Sequence, residues 1–299
     1  MEVVPWKVSL HGGHSGAFCD HARGTLEQVL ETAEAQGFAT YGVSEHAPRY
    51  EARFLYPEER ALGWDVPRLL DMFEAYSVEC ARLQRIFEGR LIVLRGFEAE
   101  VVPAASWIDR MKALRRDHAF DFVVGSVHHV GELQIDGLRP WFEEAIAAHG
   151  GLEPLAMAYY DQLGAMIEAL EPDVVGHFDL IRKLAGSYGS VNTPRVRERA
   201  LVALEAAGKY SCILDLNTAG YRKGLDSPYP EPWLVEAARE AGVPFCFGDD
   251  SHGPDDVGRD LDRSREYLLG LGVDTITAIT RRDGKVVREV VPLVAEVAP

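Results

Sequence analysis

Residues 122–128 read Phe122-Val123-Val124-Gly125-Ser126-Val127-His128. A short apolar, β-branched run bounded by polar residues is the signature of a strand buried on both faces. This one stops on an imidazole. The pattern recurs at Val8-Ser9-Leu10-His11 and Tyr41-Gly42-Val43-Ser44-Glu45-His46. It returns at Val174-Val175-Gly176-His177 and Phe245-Cys246-Phe247-Gly248-Asp249-Asp250-Ser251-His252, and residues 91–97 run into Glu98 in the same way. Strands are therefore expected at 7–10, 40–44, 91–97, 120–126, 173–176, 210–216 and 244–248. Helical periodicity fills the gaps. Thr25-x-x-Gln28 opens a helix with a capping-box pattern and Gly37 closes it. Residues 67–87 carry apolar side chains at a period near 3.6. Thr193-Pro194 starts a helix that ends at Gly208, and residues 232–241 form another before Gly242. Seven strands alternating with helices predict an α/β fold with parallel pairing, in an open sheet or a closed barrel. In either case the carboxyl ends of the strands share one face, where active sites sit. The terminal His and Glu residues should converge there.

The composition fits an ordinary globular protein. Of 299 residues 47% are hydrophobic and 26% charged, which excludes wholesale disorder and coiled coil. The length admits one large domain or two small ones. No apolar run approaches the ~18 residues of a membrane span. The start, Met1-Glu2-Val3-Val4-Pro5, lacks a basic-then-apolar secretory pattern. With 31 Lys+Arg against 47 Asp+Glu the net charge is −16, so no nucleic-acid partner is expected. Cys19, Cys80, Cys212 and Cys246 are scattered without paired spacing, which argues against a disulfide framework and fits the cytoplasm.

One His at a strand end is usually just a hydrogen-bonded polar group. Five of them, with His14, His21, Glu98 and Asp250 nearby, point to a polynuclear metal site, because imidazole and carboxylate suit Zn, Mn and Fe. The remaining His read otherwise. His118 lies in a charged helix end and is expected in solvent. His149 precedes Gly150-Gly151 as a helix C-terminal residue. His129, next to His128, should point to the other side of its strand. The segment from Ala47 to Pro67 is long for a loop, and is either a lid or a surface excursion. Residues 276–282 and 285–291 flank Asp283-Gly284, the signal for a β-hairpin with a type I′ turn.

Taken in order, these segments resemble the PHP (polymerase and histidinol phosphatase) superfamily, in its histidinol-phosphatase branch. They are Leu10-His11-Gly12-Gly13-His14-Ser15, Phe18-Cys19-Asp20-His21, Val43-Ser44-Glu45-His46, Gly96-Phe97-Glu98-Ala99-Glu100 and Gly125-Ser126-Val127-His128. Gly176-His177-Phe178-Asp179-Leu180-Ile181-Arg182-Lys183, Asn217-Thr218-Ala219-Gly220-Tyr221-Arg222-Lys223 and Gly248-Asp249-Asp250-Ser251-His252 complete the set. The resemblance implies a distorted (βα)7 TIM-like barrel, in a single metallohydrolase domain over 1–299 with its core at about 5–270 and the hairpin as an appendage.

It also implies two or three divalent transition metals (Zn, Mn or Fe). His11, His14, Glu98 and Asp250 would hold the first, Glu98, His128 and His177 the second, and His21, His46 and His252 the third. The family usually opens with His-x-His, whereas here His11 and His14 are three apart. A bulge or the two glycines would restore convergence. Otherwise one of the two is not a ligand, and His14 matches the second family position better. Asp20 is a substitute ligand near His21, and Cys19 reads as a packing residue.

The implied activity is metal-dependent phosphomonoester hydrolysis, with a small phosphorylated substrate and no membrane partner. Histidinol phosphate is the foremost substrate, attacked by a metal-bridging hydroxide, with Glu98, Asp250 and His252 as the catalytic set. Arg182 and Arg222 are the expected phosphate clamps, a structural salt bridge being the other reading. Asp249 and Asp179 are candidate general acids. Glu51, Tyr50 and Phe54 of the 47–66 segment are candidates to meet an imidazole or ammonium. Another phosphoesterase of the superfamily, or a non-catalytic metal-binding domain, is the alternative.

Overall fold

The computed structural model describes residues 3–294. Residues 1–2 and 295–299, which the single-domain expectation and the reading of the N-terminus include, lie outside the described residues. The elements in order are β1 (Val4–Ser9), α1 (Leu26–Ala35), β2 (Phe38–His46), α2 (Pro57–Ala61), α3 (Val66–Ile86), β3 (Ile92–Ala99), α4 (Trp107–Asp117) and β4 (Phe122–Gly125). There follow β5 (His129–Val130), β6 (Leu133–Gln134), α5 (Arg139–Ala148), α6 (Leu152–Leu170), β7 (Val174–Val175), α7 (Arg182–Ala185), α8 (Pro194–Lys209), β8 (Ile213–Asn217) and α9 (Ala219–Arg222). The chain continues through α10 (Pro232–Glu240), β9 (Phe245–Gly248), α11 (Leu261–Gly270), β10 (Thr275–Arg282) and β11 (Lys285–Pro292).

Seven strands form one sheet in the order β1-β2-β3-β4-β7-β8-β9, and neighbours pair in parallel. Its two edges come together. The Leu10 N–H donates to the Phe247 carbonyl at 2.8 Å, and Asp250 N–H to the His11 carbonyl at 2.8 Å. The result is a nearly closed, distorted TIM barrel: the parallel pairing is what the alternation of elements predicts, and the closure is what the family resemblance implies. Val43, Phe97, Phe122 and Val124 are fully buried in its wall. The Phe122 ring fits only because its neighbours are glycines. A Cβ on Gly96 would stand 2.5 Å from it, and one on Gly42 2.7 Å.

Local signals hold where they were strong. Thr25 and Gln28 form the reciprocal capping box, at 2.9 and 3.2 Å. Thr193 accepts from the Val196 N–H. Asp283 and Gly284 both take positive φ, 51° and 77°, as a type I′ turn requires. The β10–β11 hairpin packs across the amino-terminal end of the barrel. Thr280 bonds Thr40 at 3.1 Å, Arg281 pairs with Asp121 at 2.5 Å, and Arg288 with Asp173 at 3.2 Å.

The 47–66 segment is ordered rather than a plain loop. A 3-10 turn (Ala52–Phe54) precedes α2. Arg53 grips Glu132 through both its terminal nitrogens, at 2.6 and 3.0 Å. Arg49 pairs with the buried Glu59 and lies 4.4 Å from the Tyr56 ring. The segment covers the carboxyl-terminal mouth, where Tyr56, Pro57 and Glu58 line the cavity. Among the described residues no helix is long and apolar enough to cross a membrane.

Candidate active site

Glu98, at the end of β3, is the hub. It is 2% exposed, and its Oε1 lies 3.2 Å from His11 Nε2, 3.4 Å from His128 Nε2 and 3.1 Å from His177 Nε2. Its Oε2 lies 2.8 Å from His46 Nδ1. Carboxylates on the far side fix the rings. Asp215 binds His11 Nδ1 at 2.7 Å, Glu45 binds His14 Nδ1 at 3.0 Å, and Glu100 binds His128 Nδ1 at 3.0 Å. This is how metal-ligating imidazoles are oriented, with the other ring nitrogen turned inward.

His11 and His14 converge because of the glycines between them. Gly12 and Gly13 take φ of 149° and 77°. A Cβ on Gly12 would meet Asp249 at 2.3 Å, and the two N–H groups donate to Ser44 and Ser251. The His14 ring then stacks on His46 and His252, with centroids 4.2 and 4.3 Å away.

The ligand atoms of His11, His14 and Glu98 lie within 4.8 Å of one another, as do those of Glu98, His128 and His177. The same holds for His14, Asp250 and His252, and for Cys19, His21, His46 and His252. His21 is the least enclosed, with a 42% exposed side chain held 3.0 Å from Asp20. All nine expected ligands therefore come to one place. The groups also fit a metal. His14 Nε2 and His46 Nε2 are buried with no hydrogen-bond partner among the described residues. An orphaned buried polar atom costs about 1–3 kcal/mol, so two such imidazole nitrogens in one cluster of carboxylates fit a place for divalent cations.

The electrostatics agree. Burial opposes charge on every group, yet Glu98 and Asp215 hold the His11 pKa well above its usual value. Despite burial, Glu98 and Glu100 carry His128 to about 10. Burial would raise Glu98, but His11 and His128 hold it well below the carboxylate range. His46 goes the other way, pushed down to about 4 by burial and by His14. The cluster keeps its carboxylates ionised and calls for positive charge.

A model of the PHP domain family matches residues 11–219. The chain belongs to the PHP domain family. A Schizosaccharomyces pombe protein named "Probable histidinol-phosphatase" is 34% identical over 95% of this chain and 94% of its own. A crystal structure from Listeria monocytogenes superposes with a TM-score of 0.75 at 25% identity, covering 86% of this chain and 99% of that one. A histidinol phosphate phosphatase from Lactococcus lactis, solved with zinc, L-histidinol and phosphate, gives a TM-score of 0.69 at 20% identity, over 95% and 99% of the two chains.

The arginines of this PHP domain differ from expectation. Arg182 Nε is 2.7 Å from Asp179, its terminal nitrogen reaches the Ser227 and Pro228 carbonyls, and it lies 5.0 Å from the Tyr229 ring. Arg222 donates to the Asp249 and Asp250 carbonyls at 2.7 and 2.9 Å, bracing the loop that carries Asp250 and His252. Neither lines the cavity of about 260 Å³ in front of the cluster; Lys183 and Lys223 do. The sequence presents Arg-Lys pairs at both places, and which member faces inward depends on the turn into α7 and the end of α9.

The general-acid candidates also turn away. Asp249 accepts from Tyr41 and Gly258, and Asp179 from Glu231 N–H. Glu51 pairs with Arg53, Tyr50 packs under Arg110, and Phe54 lies against His129. His118 is not in solvent: 11% exposed, it packs on Phe73 and Phe120. His149 caps α5 as expected. His129 stays off the cavity wall, 3.2 Å from Glu100.

Asp215, Glu45 and Glu100 were missed as positioning groups. Each carried a signal. Asp215 is a lone acid between Leu214 and Leu216, Glu45 adjoins His46, and Glu100 shares a strand face with Glu98.

Proposed function

We propose that this PHP domain is a metal-dependent phosphomonoesterase whose substrate is histidinol phosphate. The carrying observation is the carboxylate of Glu98 ringed by four imidazoles, beside two lysines in one cavity. The name of the 34%-identical relative supports the substrate. His11, His14, Glu98 and Asp250 would hold one ion, Glu98, His128 and His177 a second, and His21, His46 and His252 a third. Zn, Mn or Fe suits these nitrogen and oxygen ligands, and the zinc in the Lactococcus lactis fold relative is in keeping with that. Bound there, divalent ions supply Lewis-acid polarisation of the phosphoryl group and activation of water.

The chain's own residues do the rest. Asp215, Glu45 and Glu100 hold the imidazoles in register. Lys183 and Lys223 offer ammonium groups to the phosphoryl oxygens. Lys183 is 3.3 Å from Asp136, while burial and Lys183 lower the Lys223 pKa. Tyr56 and Trp141 narrow the approach of water.

The test is phosphate release from histidinol phosphate beside phosphotyrosine, a nucleoside monophosphate and a phosphodiester. The highest kcat/KM is expected for histidinol phosphate; a preference for another ester overturns the substrate. The −16 charge already weighs against a polymeric nucleic-acid substrate. Lys223→Met should lower kcat/KM about tenfold to a few hundredfold, since a charge-assisted hydrogen bond is worth roughly 1.5–3 kcal/mol. Metal content should not change. Loss of metal in that variant would mean that Lys223 supports the cluster and leaves phosphate to other groups.

A further inference from the structure

We propose that Glu58 of α2 recognises the substrate's ammonium group and so selects a cationic alcohol phosphate over a neutral one. The assignment rests on the histidinol-phosphate reading above and adds the group that discriminates.

It comes from a census of the carboxylates that line the cavity: Asp20, Glu58, Glu98, Asp136 and Asp250. Four are engaged. Asp20 holds His21 at 3.0 Å, Glu98 lies among four imidazoles, and Asp136 pairs with Lys183 at 3.3 Å. Asp250 lies within 4 Å of His14 and His252. Glu58 alone has no cationic partner among the described residues. It is exposed at the mouth, on the helix that covers it.

Its place in the topology fits the substrate's shape. Glu58 follows β2, while Lys183 and Lys223 follow β7 and β8. Around the closed order, β2 is three strands from β7 in one direction and three from β8 in the other. Glu58 and the two lysines thus line one cavity from elements on opposite sides of the strand order. A molecule with its phosphate at the lysines and metals extends its other end toward the lid. An amino alcohol phosphate carries an anion at one end and an ammonium a few bonds away. The cavity offers cations on one wall and a free carboxylate on the other. The lid helix that carries Glu58 is also held firmly: the Arg49–Glu59 pair is buried and Glu59 caps α2 by accepting from the Tyr56 N–H at 2.8 Å. Glu58 is thus presented from a fixed support, which limits the entropy lost on binding.

The experiment compares Glu58→Gln with the unmodified enzyme on two substrates, histidinol phosphate and its analogue lacking the amino group. An exposed charge pair of this kind contributes modestly, so KM for histidinol phosphate should rise about two- to fivefold in the variant. Its kcat should hold, because the contact is equally present in ground and transition states. The deamino analogue should react the same with both proteins. Metal content and circular dichroism serve as controls on folding. If the variant loses kcat/KM equally on both substrates, or on neither, the Glu58 assignment is overturned alone. If the unmodified enzyme hydrolyses neither substrate but turns over other phosphomonoesters, the histidinol-phosphate reading falls and takes this assignment with it.

Discussion

Glu98→Gln should give a folded protein that has lost at least one metal ion and at least about a thousandfold of its kcat/KM, the order expected when a positioned charge at the reacting centre is removed. The size follows from where Glu98 sits. Its two oxygens lie within 2.8–3.4 Å of nitrogens on four histidines drawn from β2 and from the segments after β1, β4 and β7. An amide keeps the volume but not the charge. It also presents an NH2 to groups that need an acceptor. Two cations sharing one carboxylate would then repel each other with nothing between them. The fold should survive, because the hydrophobic wall around Phe97 and Phe122 does not depend on that charge. Elemental analysis, circular dichroism and steady-state kinetics check the three parts. A variant with full metal and wild-type turnover would remove Glu98 from the bridging role.

Stripping the metals with a chelator should abolish turnover and lower Tm by about 5–10 °C per site. Binding only to the folded state stabilises it by about 2.7 kcal/mol at a hundredfold excess over Kd. For a chain of this size each kcal/mol moves Tm by about 2–4 °C. Here there is a further reason. Without cations the buried Glu98 and the partly buried Glu100 and Asp250 are held below the usual carboxylate range only by neighbouring imidazoles that must carry protons. Readdition of Zn, Mn or Fe should restore both readouts. An enzyme that remains active after its metals are shown to be gone would contradict the proposed mechanism.

The parallel α/β pattern was readable because most strands are short, largely apolar runs bounded by polar residues, while the choice of a closed barrel over an open sheet came from the family resemblance. The ends of those runs also marked most of the candidate ligands, since parallel strands gather their carboxyl ends on one face. What escaped depends on local geometry. Arg182 and Lys183 are neighbours with like charge, and only the path of the backbone after His177 decides which one meets the cavity. Glu45 and Glu100 act through a ring nitrogen on the side away from the centre, and spacing along the chain says nothing about ring orientation. The two-residue β5 and β6 are held by contacts with α5 and α6 rather than by any pattern of their own. Gly12-Gly13 is the reverse case, where the departure from the usual spacing named its own remedy.

The hairpin of β10 and β11 has a consequence for traffic through the enzyme. By tying down Thr40, Asp121 and Asp173 it plugs the floor of the barrel. The cavity lies at the opposite, carboxyl-terminal end, where Tyr56, Pro57 and Glu58 are among its lining residues. With phosphate held at the lysines and metals and the alcohol extended toward α2, as proposed, the alcohol is expected to leave before phosphate, and inorganic phosphate to inhibit competitively with the next substrate.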